Sequence, residues 1–154
     1  ISLEVAEHLR IESACVFVKT ICSLSDTVLF SAAIPNQGGQ NHINEQEPNY
    51  WIMKFKAEGY HLLDVVRPFF WDNENVDSWY RQNTLLFTKN MDLKVKLNSL
   101  ESFGGKHLIH PILSEDKIGI LNYYKNQIGK IEAGNKDVRY YFKLLLKALK
   151  RKIS

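Results

Sequence analysis

The sequence predicts an α/β fold: helices packed on a mainly parallel sheet, followed by a helical tail. Three observations predict it. Thr27–Ala33, TVLFSAA, is a short apolar run with the length of a buried strand. The stretches on either side carry apolar residues at three- and four-residue spacing, the helical period. Strand-like and helical stretches then alternate as far as Thr88, the pattern of βαβ units.

Taken in order, Ile1–Val5 reads as a strand. Ile11–Leu24 is helical, with Ala14, Phe17, Val18, Ile21 and Leu24 on one stripe, and Ser25-Asp26 ends it. Thr27–Ala33 is the second strand, apolar enough to be buried on both faces, and Pro35 stops its ladder. Asn36–Asn41 is polar with Gly38-Gly39 inside it, so the chain turns sharply or passes close to something there. Pro48–Glu58 is the second helix, with Pro48 in its first turn, Trp51 and Phe55 one turn apart, and Gly59 just past its end. Tyr60–Val66 is the third strand, ended by Arg67-Pro68. Asp72–Ser78 is a polar loop and Asn83–Thr88 a fourth strand. With a loop and no helix between them, the third and fourth strands are expected to pair antiparallel. Met91–Phe103 is mixed, Gly104-Gly105 is a hinge, and Asp116–Lys130 and Asp137–Lys152 are helices joined through Gly134-Asn135. Residues 1–90 thus read as one domain and 91–154 as a mainly helical extension.

This order has a geometric consequence. If the first three strands are parallel, their carboxyl ends share one rim, and the fourth strand starts at that rim and runs back. Glu4–His8, the loop 36–46 and the stretch 71–83 should converge there, where open α/β sheets bind ligands.

Composition narrows the function classes. The 154 residues carry a formal net charge of +3, and five of the basic residues, Lys143, Lys147, Lys150, Arg151 and Lys152, crowd into the last dozen positions. The rest is near neutral, which argues against a nucleic-acid partner. No apolar run approaches the ~20 residues of a membrane span, and no stretch of these residues reads as a signal peptide. Cys15 and Cys22 lie two turns apart on one helix face, too far apart to bond, and read as two buried free thiols in a reducing, cytoplasmic compartment. The opening Ile1-Ser2-Leu3-Glu4-Val5 reads as the middle of a larger sheet, so a preceding segment is expected.

Ser2-Leu3-Glu4-Val5-Ala6-Glu7-His8-Leu9 resembles the S-x-E-V-x-E-H-[LV] signature at the end of the fourth strand of class I S-adenosylmethionine-dependent methyltransferases. FSAAIPNQGGQNHINEQEPNYW and WYRQNTLLF resemble a bacterial subgroup of that family acting on small molecules or saccharides. The resemblance covers Ile1 to about Thr88. It implies the carboxyl-terminal half of a Rossmann-like sheet, with parallel strands plus one antiparallel strand, S-adenosylmethionine as methyl donor, and Ser2 and Glu4 beside it. The family's glycine-rich turn and ribose-binding acid have no counterpart here, because Gly38-Gly39 follows a later strand. This chain alone is therefore expected to be inactive. The alternative is a non-catalytic recognition or interaction module derived from the same fold.

The chemistry centres on the spacing E-x-x-E-H. If a helical turn follows Glu4, then Glu4 and Glu7 face one point, and two close carboxylates repel unless a proton or cation sits between them. His8 is a natural further ligand, and His42 a fourth, delivered by the adjacent loop. The ion would be Mg²⁺, Mn²⁺, Fe²⁺ or Zn²⁺. Some methyltransferases that this arrangement resembles use such an ion to hold substrate hydroxyls and lower their pKa. In the bland alternative Glu7 starts a helix and His8 makes a structural hydrogen bond. Without an ion, His8 or His42 is the general base. Glu45, Trp79, Tyr80 and Arg81 are the expected acceptor contacts, weighed against packing of a long loop with Arg67 or Arg81 paired to Asp64 or Asp72. His61, His107 and His110 are given no role. The basic terminal helix reads as docked on its own domain, with a membrane-surface role as the lesser alternative.

Overall fold

The sheet forms around β2 (Thr27–Ser31). It pairs in parallel with β1 (Ser2–Leu3) on one side and antiparallel with β4 (Leu85–Thr88) on the other, and β3 (His61–Leu63) pairs antiparallel with β4 at the far edge. The order is β1-β2-β4-β3. Because β2 and β3 both oppose β4, the first three strands point one way and the fourth runs back between two of them. The fold is mixed α/β, with an open four-stranded mixed sheet and, among the described residues, seven α-helices. The structure is a computed structural model that describes residues 1–153, and the side chains of all of them but Lys150, Lys152 and Ile153.

The two helices of the βα units build the core. Two 3₁₀ turns, Ala6–His8 and Ile11–Ser13, lead into α1 (Ala14–Leu24). Pro48 opens α2 (Pro48–Ala57), and Gly59, at φ +84°, lets the chain leave it in the left-handed conformation that other residues resist. Ala14, Val18 and Cys22 of α1 and Trp51 and Phe55 of α2 close over Phe30 and Phe87 of the sheet. The Phe55 and Phe87 rings stack with centroids 4.0 Å apart. Each such ring contributes about 1.5–3 kcal/mol by leaving water.

Several elements differ from the sequence expectation. The strands are shorter than their apolar runs: Ser2–Leu3 rather than 1–5, Thr27–Ser31 rather than 27–33, and Leu85–Thr88 rather than 83–88. In β2, Val28 and Phe30 are buried but Thr27 and Leu29 only half-buried, so helices cover one face far better than the other. The third strand ends at Leu63 because Asp64 and Arg67 turn inward to form a buried ion pair, and Val66–Phe70 is the short helix α3 rather than strand and breaker. The expected plain loop before β4 also holds α4 (Ser78–Asn83); the antiparallel pairing of β3 and β4 survives both insertions. Cys22 is buried but Cys15 is exposed, since the face they share opens at the first turn of α1, where Lys54 Nζ lies 3.2 Å from Cys15 Sγ.

The first compact unit is Ile1–Leu113 and the second Ser114–Ser154. The expected boundary at residue 90 falls inside the first unit. There α5 (Met91–Leu97) touches β3 and β4, Arg67 donates to the Lys106 carbonyl at 2.9 Å, and the Gly105 amide donates to Asp64 at 2.8 Å. The second unit takes in most of α6 (Pro111–Glu132) and all of α7 (Val138–Ile153). Gly134, at φ +71°, turns the chain between them, and the Tyr141 hydroxyl donates to the Ile131 carbonyl at 2.8 Å. No helix among the described residues is long and apolar enough to cross a membrane.

Candidate metal centre

The carboxyl ends of β1 and β2 lie side by side, and backbone hydrogen bonds fasten the loops that leave them. The Glu4 amide donates to both the carbonyl and the hydroxyl of Ser31, at 3.1 and 3.0 Å. Glu4 itself adopts φ +51°, a conformation non-glycine residues seldom take, and the chain turns at once into the 3₁₀ turn Ala6–His8. The Glu7 carbonyl then accepts two amides from the β2 loop, Ile43 at 2.9 Å and Asn44 at 3.0 Å. Buried Asn44 adds a bond to the Ala6 carbonyl at 3.5 Å. This staple brings His42 to His8.

Glu7, His8 and His42 form the centre. One ligating atom from each lies within 4.8 Å of the others. Both imidazoles are oriented by a second hydrogen bond. His42 Nδ1 donates to Glu45 Oε1 at 3.0 Å, and His8 Nδ1 to the Asn41 carbonyl at 3.2 Å. Both partners accept only, so in the neutral rings each Nδ1 carries the proton and each Nε2 keeps its lone pair. His42 Nε2 sits 4.0 Å from Glu7 Oε1. The two rings meet edge-on, centroids 4.9 Å apart. Gly39 backs His42 so closely that a Cβ there would stand 2.3 Å from the ring.

The electrostatics point the same way. Glu7 is 0% exposed, and neither carboxylate oxygen has a hydrogen-bond partner. Burial pushes its pKa above the usual carboxylate value; its own backbone amide, near the carboxylate but outside hydrogen-bond geometry, and then the two histidines oppose the rise, and the nearby Glu4 charge adds to it. For Glu45, partial burial acts upward. It is outweighed by hydrogen bonds from His42 and from the Gly38 and Asn36 amides, which hold its carboxyl below the usual value. One acid is kept charged to orient His42, and the other is left facing the gap with nothing to bind.

Two imidazole nitrogens and a carboxylate suit a divalent transition ion better than Mg²⁺, which prefers oxygen. Tetrahedral ligands each ~2.1 Å from one ion stand about 3.4 Å apart, so the trio, whose ligating atoms lie within 4.8 Å of one another, must draw together by up to about 1.4 Å to share one. The orphaned Glu7 oxygens supply the reason for it to close. The residues fit the group.

Glu4 is the correction to the expected four-ligand set. The left-handed turn at Glu4 breaks the helical spacing, and the ligating atoms that gather within 4.8 Å of one another are those of Glu7, His8 and His42, without Glu4. Glu4 instead accepts from Gln37 Nε2 at 3.1 Å and Asn83 Nδ2 at 3.2 Å. It lines the same cavity, of about 360 Å³, as Glu7, His8, His42, Gly39 and Trp79. The three converging segments therefore meet as the strand directions require, joined through Glu4, Gln37 and Asn83.

The remaining expected site residues divide. Trp79, 38% exposed, lines the cavity, and half-buried Tyr80 lies beside it with ring centroids 5.9 Å apart. Glu45 holds His42. Arg81 is buried and points a guanidinium nitrogen at the Trp71 carbonyl, 3.4 Å away. Arg67, not Arg81, pairs with Asp64. The Ser2 hydroxyl is buried without a partner. His61 contacts Lys94 and His107 faces Glu47, while buried His110 bonds the Trp71 carbonyl at 2.8 Å. Asn41, Asn44, Gln37 and Asn83 were not legible as site residues, because amides in a polar loop carry no periodic or spacing signal.

Compared with known protein families, curated proteins and solved structures, the chain finds no match.

Proposed function

We propose that this chain supplies the metal- and acceptor-binding half of an S-adenosylmethionine-dependent O-methyltransferase that acts on a small-molecule or saccharide hydroxyl. The observation that carries the reading is the unpartnered Glu7 carboxylate facing two imidazoles whose Nε2 lone pairs are set free by their own Nδ1 hydrogen bonds. Three like-directed strands with a fourth returning between them support it, since the sequence resemblance implies parallel strands plus one antiparallel strand.

A divalent ion bound here would hold an acceptor oxygen and lower its pKa. The chain's own residues do the rest. Glu45 fixes the His42 tautomer, which leaves Nε2 to the ion; without an ion, Glu45 would instead stabilise the imidazolium as Nε2 takes a proton, which makes His42 the better-supported base of the two histidines. Trp79 offers a flat apolar wall to a ring or sugar face. Ser2 and Glu4 do not by themselves cradle a nucleoside cofactor. Glu4 is spent on Gln37 and Asn83, and no glycine-rich turn follows β1. A recognition module built on the same fold is the second reading, favoured by that commitment of Glu4 and by the burial of Arg81.

The test has two stages. Calorimetric titration of the chain with Mn²⁺ and Zn²⁺ should show one site, lost in Glu7→Gln and in His42→Ala. A gene encoding a strand with a G-x-G turn upstream of Ile1 then allows a methyl-transfer assay of the longer product. Activity abolished by chelation and restored by one divalent ion supports the enzyme; metal binding without methyl transfer supports the module.

A further inference from the structure

The second unit carries an apolar face that nothing within it covers. Helix α7 contains Arg139, Lys143, Lys147, Lys150, Arg151 and Lys152 and no Asp or Glu. At about 100° per residue, Val138, Phe142, Leu145 and Leu149 fall on one stripe, with Lys143 and Lys147 on the other side and Arg139 on the flank between. The stripe is open, from 48% exposed at Leu149 to 83% at Val138. Arg139, Lys143 and Lys147 are exposed as well. Tyr141, the residue that ties α7 back to the end of α6, lies off the centre of the stripe.

We propose that α7 docks on an anionic membrane surface. It lies in the plane of the interface, with Phe142, Leu145 and Leu149 at the acyl boundary and its basic residues among the headgroups. Charge complementarity selects this occupant. Nucleic acid would satisfy the lysines and leave the stripe in water. A second copy of the helix would match the stripe, whose 138, 142, 145, 149 spacing is that of a heptad seam. However, α7 has 16 residues, about two heptads, and no acid to pair with its partner's cations. No described helix is long and apolar enough to cross a bilayer, so the proposed contact is with its surface. The inference is independent of the metal centre.

The test is flotation of the full chain with vesicles of phosphatidylcholine alone and with about a quarter phosphatidylglycerol. The expected result is partitioning at least ~10-fold stronger to the anionic vesicles, reduced to the neutral level at ~1 M salt, where charges are screened beyond ~3 Å. The double variant Leu145→Glu/Leu149→Glu should not float, and Lys143→Glu/Lys147→Glu should lose the preference for phosphatidylglycerol. Circular dichroism of both variants, at sites exposed in the structure, should match the parent. Failure to float with anionic vesicles overturns the proposal, as does equal binding to both vesicle types. So does a concentration-dependent dimer that Leu145→Glu/Leu149→Glu converts to monomer. Binding to a short RNA that this variant leaves undiminished, without flotation, overturns it in favour of nucleic acid.

Discussion

His42 Nε2 stands 4.0 Å from Glu7 Oε1, too far for a hydrogen bond and about half an ångström more than the ~3.4 Å between neighbouring ligands of a tetrahedral ion. On the far side of the imidazole, Nδ1 is held at 3.0 Å by Glu45. A buried carboxylate with no donor and an imidazole with its lone pair turned inward are costly arrangements in a metal-free fold. They define what should happen when either is altered.

Glu7→Gln should stabilise the metal-free chain near neutral pH by about 1 kcal/mol, because an amide is cheaper to bury unpaired than a charge. The sign follows from the raised pKa. Glu7's contribution is most favourable below 4.5, its ordinary value, and is lost as pH rises through its folded value. The advantage of Gln should therefore shrink on acidification. With Mn²⁺ or Zn²⁺ at ~100 times its dissociation constant the parent should gain ~2.7 kcal/mol and the variant nothing. Urea titrations at acid and neutral pH, with and without metal, check both halves; a variant that gains equally at all pH values would show that Glu7 carries no buried charge.

Gly39→Ala should weaken metal binding ~10–100-fold by pushing the His42 ring off its position, the usual scale for a lost orienting contact. Gly38→Ala is the control. Gly38 has φ +77° but open space around a Cβ, so it should cost about 1 kcal/mol of backbone strain and leave affinity unchanged. Equal losses of affinity in the two variants would mean that loop strain, not the ring contact, sets the site.

Arg67→Met should cost about 3–5 kcal/mol, since it strands a buried Asp64 and frees the carbonyls of Gln82 and Lys106. Adding Asp64→Leu should recover part of the loss, although the Gly105 amide then loses its acceptor. A double-mutant cycle by thermal denaturation measures this. Additive losses would show that the two side chains are not coupled.

S-adenosylmethionine should bind this chain weakly or not at all, because Ser2 and Glu4 stand without a glycine turn beside them. Calorimetry of the chain alone is the measurement, and micromolar binding would falsify the account of which residues the cofactor needs.

Much of the site's placement was legible. The Thr27–Ser31 apolar run, the Trp51–Phe55 stripe and the βαβ order place the ends of three strands on one rim. They place Glu7, His8 and His42 there with them, because strand direction follows from connection length and hydrophobic period. The reversed fourth strand was legible for the same reason. The short helices at Val66–Phe70 and Ser78–Asn83 were not: five and six residues are too few to establish a period.

Which carboxylate joins the histidines is settled by long-range contacts. The motif offers Glu4 and Glu7 alike. Glu4 lines the same cavity, but its carboxylate is taken up by Gln37 and by Asn83, 79 residues distant in the chain. Glu7 is sealed in by two loop amides that fasten its carbonyl. That acids and imidazoles share the rim can be read from the residues alone, since it depends on local periodicity. Their pairing depends on hydrogen bonds between segments far apart in the chain, and no local pattern encodes those.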